Sequence, residues 1–146
     1  MLKRILAGVI LALILTGGAV AGPFEDAAAA YQRGDYATAL RLWRPLAEQG
    51  NATAQFTLGA MYADGQGVPQ DYAGAVKWWR PLAEQGNADA QYALARMYAD
   101  GQGVAQDYAE AAKWYRLAAE QGQPDAQVNL GGMYAMGQGV PQDYAE

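Results

Sequence analysis

The carboxylates that could do chemistry recur in one loop, D-G-Q-G-V-[PA]-Q-D, which occupies residues 64–71 and again residues 100–107. A calcium loop uses carboxylates at alternate positions, whereas this loop has Asp only at its two ends. A phosphate-binding glycine loop needs a preceding strand and a following Lys, and neither is present. The loop is typical of a helix end, a turn and a helix cap. It therefore predicts neither a metal nor a cofactor site.

Catalytic pairs are scarce for a compositional reason. The 146 residues include no Cys and no His, which excludes thiol nucleophiles, Ser–His–Asp and Cys–His arrangements and the usual zinc sites. Lys77 and Lys113 fall on the polar face of their predicted helices, away from any hydroxyl that they could activate. We expect no catalytic residues and a chain that is not an enzyme.

Tryptophan side chains could instead form a platform for sugars. Trp79 lies within the apolar arc of its predicted helix and is interpreted as core. Trp78 and Trp114 lie at the edge of that arc, so carbohydrate binding through these two side chains stays open as an alternative.

The first 21 residues resemble a secretory signal. Lys3 and Arg4 precede the apolar run Ile5–Leu15, and Ala19-Val20-Ala21 has the small-x-small pattern of a cleavage site. The run is short for a membrane span, which needs about 20 apolar residues. We expect cleavage after Ala21 and a periplasmic or secreted bacterial protein, with an uncleaved anchor as the alternative. The absence of Cys excludes a bacterial lipoprotein.

The net charge of the chain indicates which classes of partner it can bind. Removing Lys3 and Arg4 from the ten basic residues leaves eight against 15 acidic ones, a net charge of −7. Nucleic acids and anionic membranes both require clustered Lys and Arg. We therefore expect no nucleic-acid partner, and no membrane partner after signal cleavage.

The loop carboxylates and the aromatic side chains belong to a sequence repeat, which determines where they lie in the fold. Residue types recur at an offset of 36 positions, as the following columns show: Met61, Met97 and Met133; Tyr62, Tyr98 and Tyr134; Trp43, Trp79 and Tyr115. A period of this length is the signature of a repeat array. Each unit reads as two amphipathic helices, helix A and helix B, joined by the G-Q-G-V loop. In the second unit we expect helix A near Ala52–Asp64 with Asn51 as its N-cap, and Asn87 and Gln123 hold the same place in the next two units.

The predicted fold is an all-α solenoid of helix-turn-helix units. The expected units are 22–50, which has a shorter loop, then 51–86 and 87–122, and 123–146, which ends early in its helix B. We expect that the chain is a fragment or an early-terminated copy of a longer repeat protein. Pro45 and Pro81 fall inside helix B and predict a kink or a split there. Asp107 and Glu110 have the spacing of a capping box.

The motifs A-x-x-x-L-G-x-M-Y, G-x-G-V, D-Y-A, W-[WY]-R and A-E-Q-G together resemble the Sel1-like repeat, a relative of the tetratricopeptide repeat. The match covers residues 54–86, 90–122 and 126 onward, with a more tetratricopeptide-like unit before them. The resemblance implies a right-handed α-solenoid that acts as a protein-interaction scaffold and is often exported. Some exported members are disulfide-rich and linked to penicillin binding. Without Cys that activity is not carried over, although a penicillin-binding, β-lactamase-like or other envelope enzyme remains an alternative.

Positions that differ between units indicate where a partner could bind. Identical positions serve packing that all units share, while variable helix A positions away from the packing stripe are free for another role. In solenoids of this type helix A lines the concave surface, so these positions would form one strip for a protein or peptide. The predicted partner-binding residues are Phe56, Thr57, Tyr92, Arg96, Val128 and Asn129.

Overall fold

The computed structural model describes residues 21–140, and within that range the chain forms seven α-helices and no strand. The helices are α1 (Pro23–Gln32), α2 (Tyr36–Glu48), α3 (Ala52–Asp64), α4 (Tyr72–Glu84), α5 (Ala88–Asp100), α6 (Tyr108–Glu120) and α7 (Pro124–Met136). The odd-numbered helices are the A helices and the even-numbered ones are the B helices. The predicted signal segment and the last helix B fall outside the described residues.

Most helix starts carry the caps expected from the sequence. The Asn51 side chain accepts a hydrogen bond from the Ala54 backbone N–H at 2.9 Å, and Asn87 does the same for Ala90. These bonds satisfy backbone donors that the first turn of a helix leaves free. Before α7 the cap is Gln123, followed by Pro124 at the first helical position. The first turns are therefore specified locally.

Each helix packs chiefly against the helix before it and the helix after it, which produces an all-α solenoid as predicted. The A helices contribute Leu58, Met61 and Leu94 to the fully or almost fully buried core, and helix α4 contributes Trp79 and Leu82. Each B helix contacts the A helices on both sides, and the buried apolar residues form two clusters, one from Ala27 to Met61 and one from Ala63 to Met133. Stacking of units thus buries what a single helix pair would leave exposed.

The second glycine of the G-Q-G-V loop explains why that loop recurs. Gly103 has φ +71°, and a Cβ at this position would come within 2.6 Å of the Ala73 backbone nitrogen. Gly67 and Gly139 meet the starts of α2 and α6 in the same way. The loop of each unit therefore lies directly on the first turn of the preceding B helix, at a distance that only glycine allows.

One inter-unit hydrogen bond repeats along the stack. An arginine on each B helix donates to the tyrosine hydroxyl on the next A helix, 18 positions later: Arg44 to Tyr62 at 2.8 Å, Arg80 to Tyr98 at 2.9 Å and Arg116 to Tyr134 at 3.0 Å. For Arg80 and Arg116, the Arg of the W-[WY]-R motif therefore contacts the Tyr of the next M-Y motif, and Arg44 makes the same contact after Leu42-Trp43.

Of the kink or split predicted inside helix B at Pro45 and Pro81, the split is wrong. Helices α2 and α4 continue through Pro45 and Pro81 to Glu48 and Glu84, so neither helix is split. The carbonyls that lose a backbone N–H donor belong to Arg41 and Lys77, two residues that are exposed.

The capping box at the start of α6 is also incomplete. Asp107 accepts from the Ala109 and Glu110 backbone N–H groups, but its own N–H donates to the Tyr98 carbonyl. With that donor already satisfied, the Glu110 carboxylate lies 3.6 Å from the Lys113 ammonium instead.

Candidate functional site

Two grooves lie on either side of helix α5. The larger, which we call groove 1, has a volume of about 540 Å³ and is lined mainly by α3 and α5. The smaller, groove 2, has a volume of about 260 Å³ and is lined mainly by α5 and α7. Both grooves therefore follow the A helices, where the variable positions were predicted to form a strip.

Four of the six predicted residues line these grooves. Phe56 and Tyr92 line groove 1, Asn129 lines groove 2, and Arg96 lines both. Asp100 is also shared by the two grooves. Arg96 and Asp100 thus stand where groove 1 adjoins groove 2.

Thr57 and Val128 are not among the residues that line either groove. The Thr57 hydroxyl donates to the Thr53 carbonyl at 2.8 Å, within its own helix. Val128 is 75% exposed on α7. Ala93, which holds in α5 the repeat position of Thr57 and Asn129, is buried.

The variable aromatic residues pack against the B helices as well as lining groove 1. The rings of Phe56 and Trp79 have centroids 6.0 Å apart, and those of Tyr92 and Tyr115 are 5.9 Å apart. The Trp79 indole N–H donates to the Phe56 carbonyl at 3.1 Å. Phe56 and Tyr92 are therefore half-buried side chains with one face on the core and the remainder toward the groove.

Burial has a measurable consequence at Tyr115. Loss of solvent around its hydroxyl, with a further contribution from neighbouring Tyr92, raises the pKa of Tyr115 to about 12. A phenol held in its neutral form cannot serve as a base near neutral pH. Tyr115 is therefore a buried, neutral ring that forms part of the wall of groove 2.

Acidic side chains dominate the charge of groove 1. Asp64, Asp89 and Asp100 line it together with a single cation, Arg96. Within residues 21–140, none of these four side chains has an ion pair or hydrogen bond to another side chain. The four charged groups are thus available to a ligand that enters the groove.

Sequence reasoning missed the three aspartates, although a signal for them was present. Asp89, Tyr92, Arg96 and Asp100 are spaced by three or four positions, which places them on one face of a helix. The aspartates at the loop were interpreted only as helix-terminal residues. The orientation of this face toward α3 became apparent only in the folded chain.

The tryptophans proposed as a sugar platform are placed differently from each other. Trp114 is only 7% exposed, because the A helices before and after it pack around α6, so it lacks the exposed face that the carbohydrate-binding alternative requires. Trp78 is half-buried and lines a third groove with Tyr62, Asp71 and Lys77. The two indoles therefore do not form a joint exposed platform.

Between residues 21 and 140 there is no group of acidic side chains arranged to hold a metal ion. None of the helices described there has the length and apolarity needed to cross a bilayer.

Comparison with known proteins adds the family. The model of the Sel1 repeat matches residues 27–51, 52–87, 88–123 and 124–146, as the sequence motifs predicted. No curated protein matches the chain. The division into units at residues 50, 86 and 122 remains a prediction.

Two solved structures are similar in both fold and sequence. One is c5321, a protective antigen present in uropathogenic Escherichia coli strains displaying an SLR fold, with 43% identity and a TM-score of 0.79 over 84% of this chain. The other is a Sel1 repeat protein from Oxalobacter formigenes, with 33% identity and a TM-score of 0.77 over 83% of this chain. The chain spans 27% of the first protein and 50% of the second.

Proposed function

Because the chain belongs to the Sel1 repeat family, we propose that it is an exported, non-enzymatic scaffold that binds a protein or peptide along its A helices. Sel1 repeats typically mediate protein–protein interaction and are generally non-catalytic. The proposal adds the surface that is used and the compartment in which it acts.

The observation that carries the proposal is the junction of the two grooves at Arg96. Grooves 1 and 2 share Arg96 and Asp100, so a ligand that follows one groove can continue into the next. Half-buried Phe56 and Tyr92 are held against the B helices and need little ordering when a partner binds. Rigid aromatic side chains and Arg are the residue types enriched at binding hot spots.

Export is proposed from the N-terminal sequence alone. The charged residues Lys3 and Arg4, the apolar run Ile5–Leu15 and the small residues before Gly22 support it. The similar protein c5321 is a protective antigen present in uropathogenic Escherichia coli strains. Under this proposal the partner is an envelope or extracellular protein.

A charge reversal at the junction tests the proposed surface. The Arg96→Glu variant is compared with the wild type in affinity purification from an envelope extract of the producing bacterium. Arg41→Glu on the exposed side of α2 is the matched control, because it changes the net charge equally away from the grooves. We expect a specific partner whose recovery changes with Arg96→Glu and is unchanged with Arg41→Glu. Partners that bind all three proteins equally would contradict the use of this surface.

A further inference from the structure

We propose that the segment bound in groove 1 is basic: a peptide of the partner protein that places a Lys or Arg side chain beside an apolar one. This inference rests on the proposed scaffold function and specifies the chemistry of its ligand.

The negative charge of groove 1 is complementary to a basic ligand. Groove 1 contains three carboxylates, Asp64, Asp89 and Asp100, against one guanidinium, that of Arg96. Among residues 21–140 these carboxylates pair with no cation of the chain, and they are not arranged to hold a metal ion. Concave walls of one sign concentrate ligands of the opposite sign. A Lys or Arg side chain of a partner would supply the missing positive charge.

Two of these carboxylates lie at the C-termini of helices. Asp64 and Asp100 are the last residues of α3 and α5. The C-terminus of a helix carries partial negative charge, so an Asp there is unfavourable for folding unless a cation is nearby. Glu48, Glu84 and Glu120 end the B helices in the same way, but Asp64 and Asp100 do so inside groove 1. A basic ligand would compensate both.

Groove 1 also has an apolar wall formed by aromatic side chains. Phe56, Tyr72 and Tyr92 line groove 1 as half-buried aromatic rings. Aromatic faces attract the cationic end of Lys and Arg and also bury their methylene stems. The groove therefore favours a basic side chain with an apolar neighbour over a lone cation. The same carboxylates would repel a phosphorylated or acidic segment.

The test uses peptides of defined sequence. A random dodecapeptide library is selected against the exported, purified chain, and enriched peptides are synthesised with a fluorescent label. Affinity is measured by fluorescence anisotropy at about 50 mM and about 150 mM salt, because exposed charge pairs weaken with ionic strength.

Two variants that remove equal charge separate local contacts from long-range attraction. The groove variant is Asp64→Asn, Asp89→Asn and Asp100→Asn. The control variant is Glu48→Gln, Glu84→Gln and Glu120→Gln, three exposed carboxylates at the ends of the B helices. We expect enriched peptides to carry Lys or Arg next to an aromatic or aliphatic residue. We expect the groove variant to bind them about tenfold more weakly and the control within about twofold of the wild type.

The other outcomes separate a failure of the basic-ligand inference from a failure of the proposed scaffold function. Peptides that lose binding with Arg96→Glu but contain no basic residue would overturn the inference and leave the scaffold function intact. Equal weakening in both triple variants would also overturn it. Peptides indifferent to Arg96→Glu and to the groove variant would contradict both proposals. Single Asp64→Asn and Asp100→Asn variants, checked by thermal unfolding, replace the triple variant if it does not fold.

Discussion

Gly59 on α3 lies directly against the indole of Trp79 on α4. A Cβ on Gly59 would come within 2.6 Å of Trp79 Cδ1 and 2.7 Å of Cε2. In the next unit the corresponding residues are Ala95 and Tyr115, a larger residue on the A helix and a smaller ring on the B helix. The two units therefore achieve the same buried packing with compensating volumes.

The first prediction is that Gly59→Ala destabilises the chain by about 1–2 kcal/mol, because overpacking outweighs the gain in helix propensity. The double variant Gly59→Ala/Trp79→Tyr recreates the pair of the next unit. Its loss should be smaller than the sum of the two single losses, measured by chemical denaturation. Strict additivity would contradict the steric account.

Gly131→Ala on α7 is the control for that cycle. It occupies the same repeat position as Gly59, but no atom of residues 21–140 outside its own helix lies within 4 Å of its added Cβ. We expect it to stabilise the chain by about 0.5–1 kcal/mol, as alanine does in an exposed helix interior.

The second prediction concerns the contact between the G-Q-G-V loop and the preceding unit. Gly103→Ala should cost more than the roughly 1–2 kcal/mol of a left-handed alanine, because its Cβ would also overlap the Tyr72 backbone. Gly86→Ala is the matched control, with φ +95° and no described atom within 4 Å of an added Cβ. Equal losses of unfolding free energy in both variants would refute a role for the close approach.

The third prediction follows from the raised pKa of Tyr115. In the folded chain the phenol keeps its proton up to about pH 12, whereas in the unfolded chain it ionises near 10.0. Because the folded state then binds more protons than the unfolded state, stability falls as pH rises from 10 toward 12 and is unaffected below. The measurement is urea denaturation of the wild type and Tyr115→Phe at about pH 9 and about pH 11. The wild type should lose more stability than the variant over this interval.

The fourth prediction is a trade-off at the ends of α3 and α5. Asp64→Asn and Asp100→Asn each remove a carboxylate from the negative end of a helix dipole. Each should raise the free energy of unfolding by about 0.3–1 kcal/mol at low salt while weakening basic peptides. Glu48→Gln and Glu84→Gln, also at helix C-termini but outside groove 1, should give the stabilisation without the loss of binding. A loss of stability in the Asp variants would show that the carboxylates have a structural partner.

The fifth prediction tests export. When the full chain is expressed in a bacterium with an outer membrane, N-terminal sequencing of the periplasmic fraction should begin at Gly22. Ala19→Arg/Ala21→Arg should block cleavage and shift the product to the uncleaved size. A mature protein that retains Lys3 and Arg4 would favour the anchor instead.

Much of the fold was accessible from the sequence because the repeat supplies its own internal comparison. The A helix Ala52–Asp64 was predicted with the bounds that the structure has, and Asn51, Asn87 and Gln123 cap as expected. Caps and helix ends depend on a few adjacent residues, which the sequence displays directly. The Sel1 motifs followed from the same recurrence.

The candidate site was accessible only in part. The comparison of units selected Phe56, Tyr92, Arg96 and Asn129, and all four line a groove. It also selected Thr57 and Val128, which line neither, and it overlooked the aspartates that give groove 1 its charge. Variation between units shows that a position is not needed for the packing that all units share. It does not show which residues of other helices face that position in the folded chain.

Helical periodicity in this sequence determined the direction in which each side chain leaves its own helix. Only the tertiary structure decided which neighbouring helix each side chain packs against. The burial of Trp114 depends on the two A helices that enclose α6, and the junction at Arg96 depends on the placement of α3 and α7 about α5. These are contacts between residues far apart in the chain, set by how whole units stack, and no local pattern encodes the space left between them.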